Sequence, residues 1–257
     1  MIAGNNMTKT RFKQPSTRQQ SRDQQRKQRQ AEPQIQDFEQ RPQQSKRDTS
    51  PITPLNEVQK RYHNAMKSFV LTFATGPAGV GKTWLCGATA AQMLEDQQID
   101  KIIITRPAVE AGENLGFLPG EIEEKFAPYL TPFRDVLNER LGKSFVDYLV
   151  KTGRIEAAPL AYMRGRTFKD AFIILDEAQN TTPTQMKMFL TRIGNNCTVV
   201  VNGDLSQRDI PGKSGMQDAI ERVSYIPAVK VVNFSESEVV RSGLVSEIVQ
   251  AYSKDNA

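Results

Sequence analysis

An α/β fold with a mainly parallel central sheet is what the 257-residue chain predicts, and three observations carry that expectation. An apolar, β-branched run beginning at Val70 leads into a glycine-rich stretch, TGPAGVGKT, closed by Lys82 and Thr83. A second apolar run, FIILDEAQ from Phe172 to Gln179, ends in two adjacent carboxylates, Asp176 and Glu177. Between and after them, further apolar runs alternate with helical patterns, the βαβ order that lays strands side by side in one direction. Strands buried on both faces of such a sheet read as continuous apolar runs, as these do.

Taken in order, residues 51–65 place Pro54 and Asn56 as a turn and N-cap before a short helix carrying Val58, Tyr62 and Ala65. The strand from Val70 follows, then the loop, then a helix over about 82–94. Residues 101–105, KIIIT, give a second strand. The next stretch, PAVEAGENLGFLPGE, is a long connection broken by Gly112, Gly116, Pro119 and Gly120. A long connection at this edge of a parallel sheet is where ligands are met. Arg106 stands at its start, able to touch a nucleic acid phosphate or to pair with Glu110 or Glu113. Residues 121–149 read as helix, with Pro128 and Pro132 marking starts, and 154–158 as a third strand. Arg164, Arg166 and Lys169 then gather around Gly165 before the acidic strand. A helix over 182–193 starts at Pro183, a strand covers 197–201, a helix 216–223, a last strand 229–234, and an amphipathic helix closes the chain.

The two strand ends carry the chemistry. Gly76, Pro77, Ala78, Gly79, Val80, Gly81, Lys82 and Thr83 match the Walker A spacing without departure. Glycines let successive backbone N–H groups line a phosphate cradle, and the helix that follows directs its positive dipole end at the same anion. Lys82 would reach the β and γ phosphates, and the Thr83 hydroxyl would ligate Mg2+. Asp176, at the end of a core strand, is placed to hold Mg2+ through its waters, and Glu177 to polarise an attacking water. Gln59, shortly before the first strand, has an amide that matches the N6 and N7 edge of adenine. Asn202, Gly203, Asp204 and Gln207 form a polar strand tip placed to sense a γ phosphate. Two acids and an amide tip suit attack by water better than transfer to an acceptor, which disfavours a P-loop kinase.

Composition divides the chain. Residues 1–50 hold eleven basic and five acidic side chains, a net charge of +6, while the remainder carries −1. That Gln-rich basic stretch has almost no large apolar residues, so it is expected to be a disordered tail, either a linker or an arm holding nucleic acid phosphates. The rest, 51–257, is expected to be one ATPase domain. No apolar segment suggests a secretion signal or membrane span. The two cysteines, Cys86 and Cys197, and the single histidine, His63, are patterned for packing rather than for a disulfide, a metal or catalysis.

With these stretches in hand, the chain resembles the PhoH family of P-loop ATPases, a branch close to superfamily 1 helicases. The matching text is TGPAGVGKT, ITRPAVEAGENLGFLPGE, KFAPYLTPFRD, APLAYMRGRTF, FIILDEAQNTTPTQMKMFLTRIG, NGDLSQRDIP and VVRSGLV, covering most of residues 54–252. The resemblance implies a RecA-like core, ATP and Mg2+ as cofactors, and helicase-related activity on single-stranded nucleic acid, RNA ahead of DNA. It also implies a link to phosphate starvation and a cytoplasmic place in a bacterium or a phage-infected host. It supports Gln59 as the adenine reader and Gln207 as the reporter of the γ phosphate. Superfamily 1 enzymes hydrolyse ATP between two RecA-like domains, whereas 51–257 has length for one. A homo-oligomeric ring, a hexamer, is therefore expected, with a neighbour's arginine completing the site: Arg241 first, Arg208 second, Arg166 third.

The leading expectation is Mg2+-dependent ATP hydrolysis, with Lys82, Asp176, Glu177, Gln207 and Arg241 as its working side chains. The alternatives are a nucleotide-switched assembly protein acting on a protein partner, and a nucleic acid binding module with slow turnover.

Overall fold

The computed structural model describes residues 47–107 and 122–240, with side chains given from residue 130 in the second stretch. The basic stretch 1–46, Glu110, Glu113 and the segment from Arg241 onward lie outside the described residues. One six-stranded sheet organises the rest: β1 (Leu71–Thr75), β2 (Lys101–Arg106), β3 (Ile155–Pro159), β4 (Ala171–Leu175), β5 (Cys197–Gly203) and β6 (Val229–Asn233). All pairings are parallel and the order is β3-β2-β4-β5-β1-β6. β5 thus separates the strand that feeds the glycine loop from the strand that ends in the acids, as in a RecA-like core. Because every strand points the same way, the loop, Arg106, Asp176 and the β5 tip all emerge on one edge.

Burial on both sides explains the composition of the strands. Phe73, Ile103, Ile173, Leu175, Val199 and Val201 face one side, packed with Met186 and Phe189 of α5 (Pro183–Leu190) and Met216 and Ala219 of α6 (Gly215–Val223). The alternate positions Ala74, Ile102, Ile104, Phe172, Ile174 and Val200 are buried on the other. That side is covered by α1 (Glu57–Ser68), α2 (Lys82–Glu95), α3 (Ile122–Leu141) and α4 (Lys143–Lys151). A run without polar alternation is what two apolar layers demand.

Two local expectations need correcting. The single helix over 121–149 is two, because Gly142 takes a φ of +86° with a ψ of 139°, a backbone open to glycine that ends α3 and starts α4. Neither proline starts a helix, since α3 runs through positions 128 and 132. Each proline removes one N–H from the ladder. Burial of Phe133, Val136 and Leu137 outweighs that loss, and α3 comes so near α2 that a Cβ on Gly87 would stand 2.5 Å from Val136 Cγ1. Elsewhere the local signals hold: Asn56 caps α1 through the Gln59 N–H, and Thr182 and Gln185 form a reciprocal capping box with Pro183 in the first turn of α5.

Candidate functional site

A cleft of about 590 Å³ opens at the C-terminal edge of the sheet, and Gly79, Lys82, Thr83, Asp176, Glu177 and Gln207 all line it. Its floor is the glycine loop. Gly76 has a φ of +142° and lies so close to the chain beyond β6 that a Cβ there would stand 2.4 Å from the Phe234 carbonyl oxygen. Gly76 N–H donates to the Gly203 carbonyl at 3.1 Å, and Val240 N–H to the Gly79 carbonyl at 3.0 Å, so the end of β5 and the chain beyond β6 both fasten the loop. Gly81 opens α2 with a φ of +86° and no side-chain cap, which directs the first helical N–H groups towards the cleft. Lys82 Nζ donates to the Gly76 and Pro77 carbonyls at 2.5 and 2.8 Å. Burial lowers its pKa, while Asp204, Asp176 and Glu177 pull it back up.

Opposite the loop stands an acidic wall. Asp176 is 5% exposed, and burial pushes its carboxyl above the usual range despite the opposing pull of Arg106. Arg106, from the end of β2, donates to Asp176 Oδ2 from both Nε and Nη2, at 3.0 and 2.6 Å, and its Nη2 lies 3.6 Å from Glu177 Oε1. Glu177 itself holds a left-handed backbone, φ 53° and ψ 37°, uncommon for a residue with a side chain. Its side chain is half exposed, and Gln179 Nε2 donates to it at 2.7 Å. The Thr83 hydroxyl and the Asp176 carboxylate offer hard oxygen donors in one cleft, a set that fits Mg2+ bound together with phosphate oxygens and water. Among the described residues no group of three or more His, Cys, Asp or Glu side chains is placed to hold a metal by itself.

Residues 51–253 match the family model described as PhoH-like protein. The chain belongs to the PhoH family. It is 54% identical over 211 residues to Protein PhoH of Escherichia coli K12, covering 80% of this chain and 60% of that one. It is 52% identical over 200 residues to the PhoH-like protein of Bacillus subtilis, covering 77% and 63%. The chain therefore spans roughly three fifths of the length of these PhoH relatives. Among solved structures, Pif1 helicase from Candida albicans aligns at 14% identity and a TM-score of 0.38, over 72% of this chain and 40% of that one.

In this PhoH member the residues singled out by sequence meet the structure unevenly. Lys82, Thr83, Asp176, Glu177 and Gln207 come together in the cleft. Gln59 also lines it, but its amide already spans two backbone groups: Oε1 accepts from Leu55 N–H at 2.7 Å, and Nε2 donates to the Val80 carbonyl at 3.0 Å. Asn202 does not join the sensing tip. It is fully buried, accepting from the Tyr62 hydroxyl at 2.7 Å and directing Nδ2 to Cys86 Sγ at 3.3 Å, because the alternation of β5 turns it towards α1 and α2. Arg106 pairs with Asp176 and Glu177, while Glu110 and Glu113 lie outside the described residues. Arg166 is held within the chain by two bonds to Glu156, while Arg208 is exposed and Arg241 is not described. Cys86, Cys197 and His63 are buried, and burial raises the Cys86 thiol to about 12.

Sequence reasoning missed Gln179 and Asn180. Gln179 Oε1 accepts from Asp204 N–H at 3.1 Å, and Asn180 exchanges bonds with Asp209 at 3.1 and 2.8 Å. An amide pair immediately after two acids, facing a polar strand tip some 25 residues on, was the available signal.

Proposed function

We propose that this chain binds ATP with Mg2+ and hydrolyses it, and that turnover is coupled to single-stranded nucleic acid, RNA ahead of DNA. The observation that carries this reading is the convergence of a phosphate loop, Lys82, Thr83, Asp176, Glu177 and Gln207 on one cleft. The loop N–H groups and Lys82 would hold the phosphates, and Thr83 and Asp176 would hold the metal. When bound, Mg2+ would supply neutralising charge on the β and γ phosphate oxygens. Glu177 takes a proton from water as the water oxygen bonds to the γ phosphorus. The bond from that phosphorus to the β–γ bridging oxygen breaks, giving ADP and inorganic phosphate. Gln59 faces the adenine through the remaining hydrogen-bonding capacity of its amide, and Gln207 reports the γ phosphate.

The coupling to nucleic acid is supported by the +6 charge of residues 1–50 and by Arg106, a cation at the end of β2 beside the acids of the cleft. Glu177 and Gln207 are exposed on the open side of the cleft, which suits a wall supplied by a second copy in a ring of six, with Arg208 or Arg241 of the neighbour reaching the γ phosphate. Among the described residues no helix is long and apolar enough to cross a membrane. A cytoplasmic location in a bacterium or an infected host fits this reading.

The test is Mg2+-dependent ATP turnover by the full chain with and without single-stranded RNA and DNA. Stimulation by RNA above DNA supports the reading. Turnover unmoved by either polymer sinks the coupling and favours a nucleotide-switched protein that acts on a protein partner.

A further inference from the structure

Gln179 ties the acidic wall to the tip of β5. We propose that it is a positioning residue for Glu177, fixing that carboxylate against the attacking water and making its position follow the loop over 204–209. This rests on the hydrolytic reading above.

Gln179 is 2% exposed, and both ends of its amide are engaged. Nε2 donates to Glu177 Oε2 at 2.7 Å and to the Gln207 carbonyl at 3.4 Å, while Oε1 accepts from Asp204 N–H at 3.1 Å. Only a primary amide of this length gives to a carboxylate and takes from an N–H at once. The seat is cut to fit, since a Cβ on Gly203 would stand 2.8 Å from Gln179 Oε1 and 3.0 Å from its backbone nitrogen. Asn180 adds a second brace to the same loop, donating to Asp209 Oδ2 at 3.1 Å and accepting from Asp209 N–H at 2.8 Å. Between these braces Gln207 and Arg208 are exposed.

Glu177 needs such a holder. Its left-handed backbone persists only where neighbours over-determine it, and its side chain is 48% exposed. The Gln179 bond removes that freedom. A contact made from outside to Gln207 or Arg208 moves the loop, the loop moves the amide, and the amide carries the carboxylate into or out of line with the water. The β5 tip thereby acts on hydrolysis through Gln179, which does not itself touch the reacting atoms.

The experiment compares full-length wild type, Gln179→Met, Gln179→Glu, Glu177→Gln and the double variant Glu177→Gln/Gln179→Met. It reads Mg-ATP affinity by a fluorescent analogue, single-turnover hydrolysis and Tm. Gln179→Met, close in volume but without the bonds, is expected to lower the hydrolysis rate about 10²-fold while ATP affinity stays within about twofold. Gln179→Glu keeps the acceptor for Asp204 but sets an acceptor against Glu177, so it falls at least as far. It carries the test if the Met variant fails to fold. The double variant should be no slower than Glu177→Gln alone, because the two side chains act as one unit. A further loss in the double variant, or affinity lost in step with rate, overturns the proposal by making Gln179 a mere scaffold. Wild-type rates in both Gln179 variants overturn it while leaving the hydrolytic reading intact. A wild type that binds ATP without turnover overturns both.

Discussion

The two walls of the cleft are built in opposite ways. The glycine-loop side is a short contiguous stretch built mainly of backbone: N–H groups, glycine conformations and one lysine reaching back over the loop to Gly76 and Pro77. The acidic side is a web of side chains from β2, β4 and β5, in which Arg106 reaches Asp176 across 70 residues of sequence and Gln179 reaches Asp204 across 25. A backbone cradle is rigid by conformation, whereas a side-chain web is rigid only while every partner is present. The first should fail by steric insult and the second by loss of a partner.

The largest effect should come from steric insult. Gly76→Ala drives a Cβ towards the Phe234 carbonyl at 2.4 Å, in a backbone region that disfavours side chains. Chemical denaturation should show a loss of about 3 kcal/mol, with nucleotide binding lost alongside. A fully stable variant would mean that the loop has more slack than its fastening implies.

Lys82→Ala removes the ammonium and its stem but leaves the glycine conformations of the loop in place. Triphosphate affinity measured by calorimetry should fall on the order of 10²-fold, with Tm nearly unchanged. A fall in Tm comparable with that of Gly76→Ala would erase the contrast between the walls.

Arg106→Gln tests the web, because it leaves Asp176 buried without its cation. A loss of about 2 kcal/mol is expected near neutral pH, the partial exposure of Arg106 moderating it. Asp176 already has a raised pKa, and losing Arg106 raises it further. A carboxyl with a raised folded pKa contributes stability that is fully present below its unfolded pKa and is lost as pH rises through the folded one. The deficit of Arg106→Gln should therefore shrink as pH falls from neutrality towards the ordinary carboxylate value of 3.8, which urea unfolding at a series of pH values would reveal. A deficit that grows instead would place the lost interaction elsewhere.

Tyr62→Phe is the mildest probe. It strips the hydroxyl that donates to Asn202 Oδ1 and leaves that oxygen buried, at a cost of about 1.5 kcal/mol by thermal unfolding. No change in ATP turnover is expected beyond that, since Asn202 faces the helices and not the cleft.

The same contrast explains which parts of the molecule are legible in the sequence. Gly76 to Thr83 is legible because backbone chemistry needs fixed residue types at fixed spacing. Asp176 and Glu177 are legible because they end an apolar run. The parallel sheet followed from strands without polar alternation. The role of Arg106 was not legible, since nothing local distinguishes an arginine bound to Asp176 from one awaiting Glu110. Nor was the turn of Asn202 into the core, which depends on strand phase and on Tyr62 of α1 lying beneath β5. The break at Gly142 was in view as a glycine, but the helical pattern on either side of it masked its positive φ.

The most direct test of the central claim is phosphate release from Mg-ATP by wild type and by Glu177→Gln, with retention of labelled ATP measured on the same samples. The account predicts that wild type releases phosphate and that the variant binds ATP equally well while release falls about 10³-fold. Equal release from both proteins would contradict it, because the acidic wall would then have no part in hydrolysis.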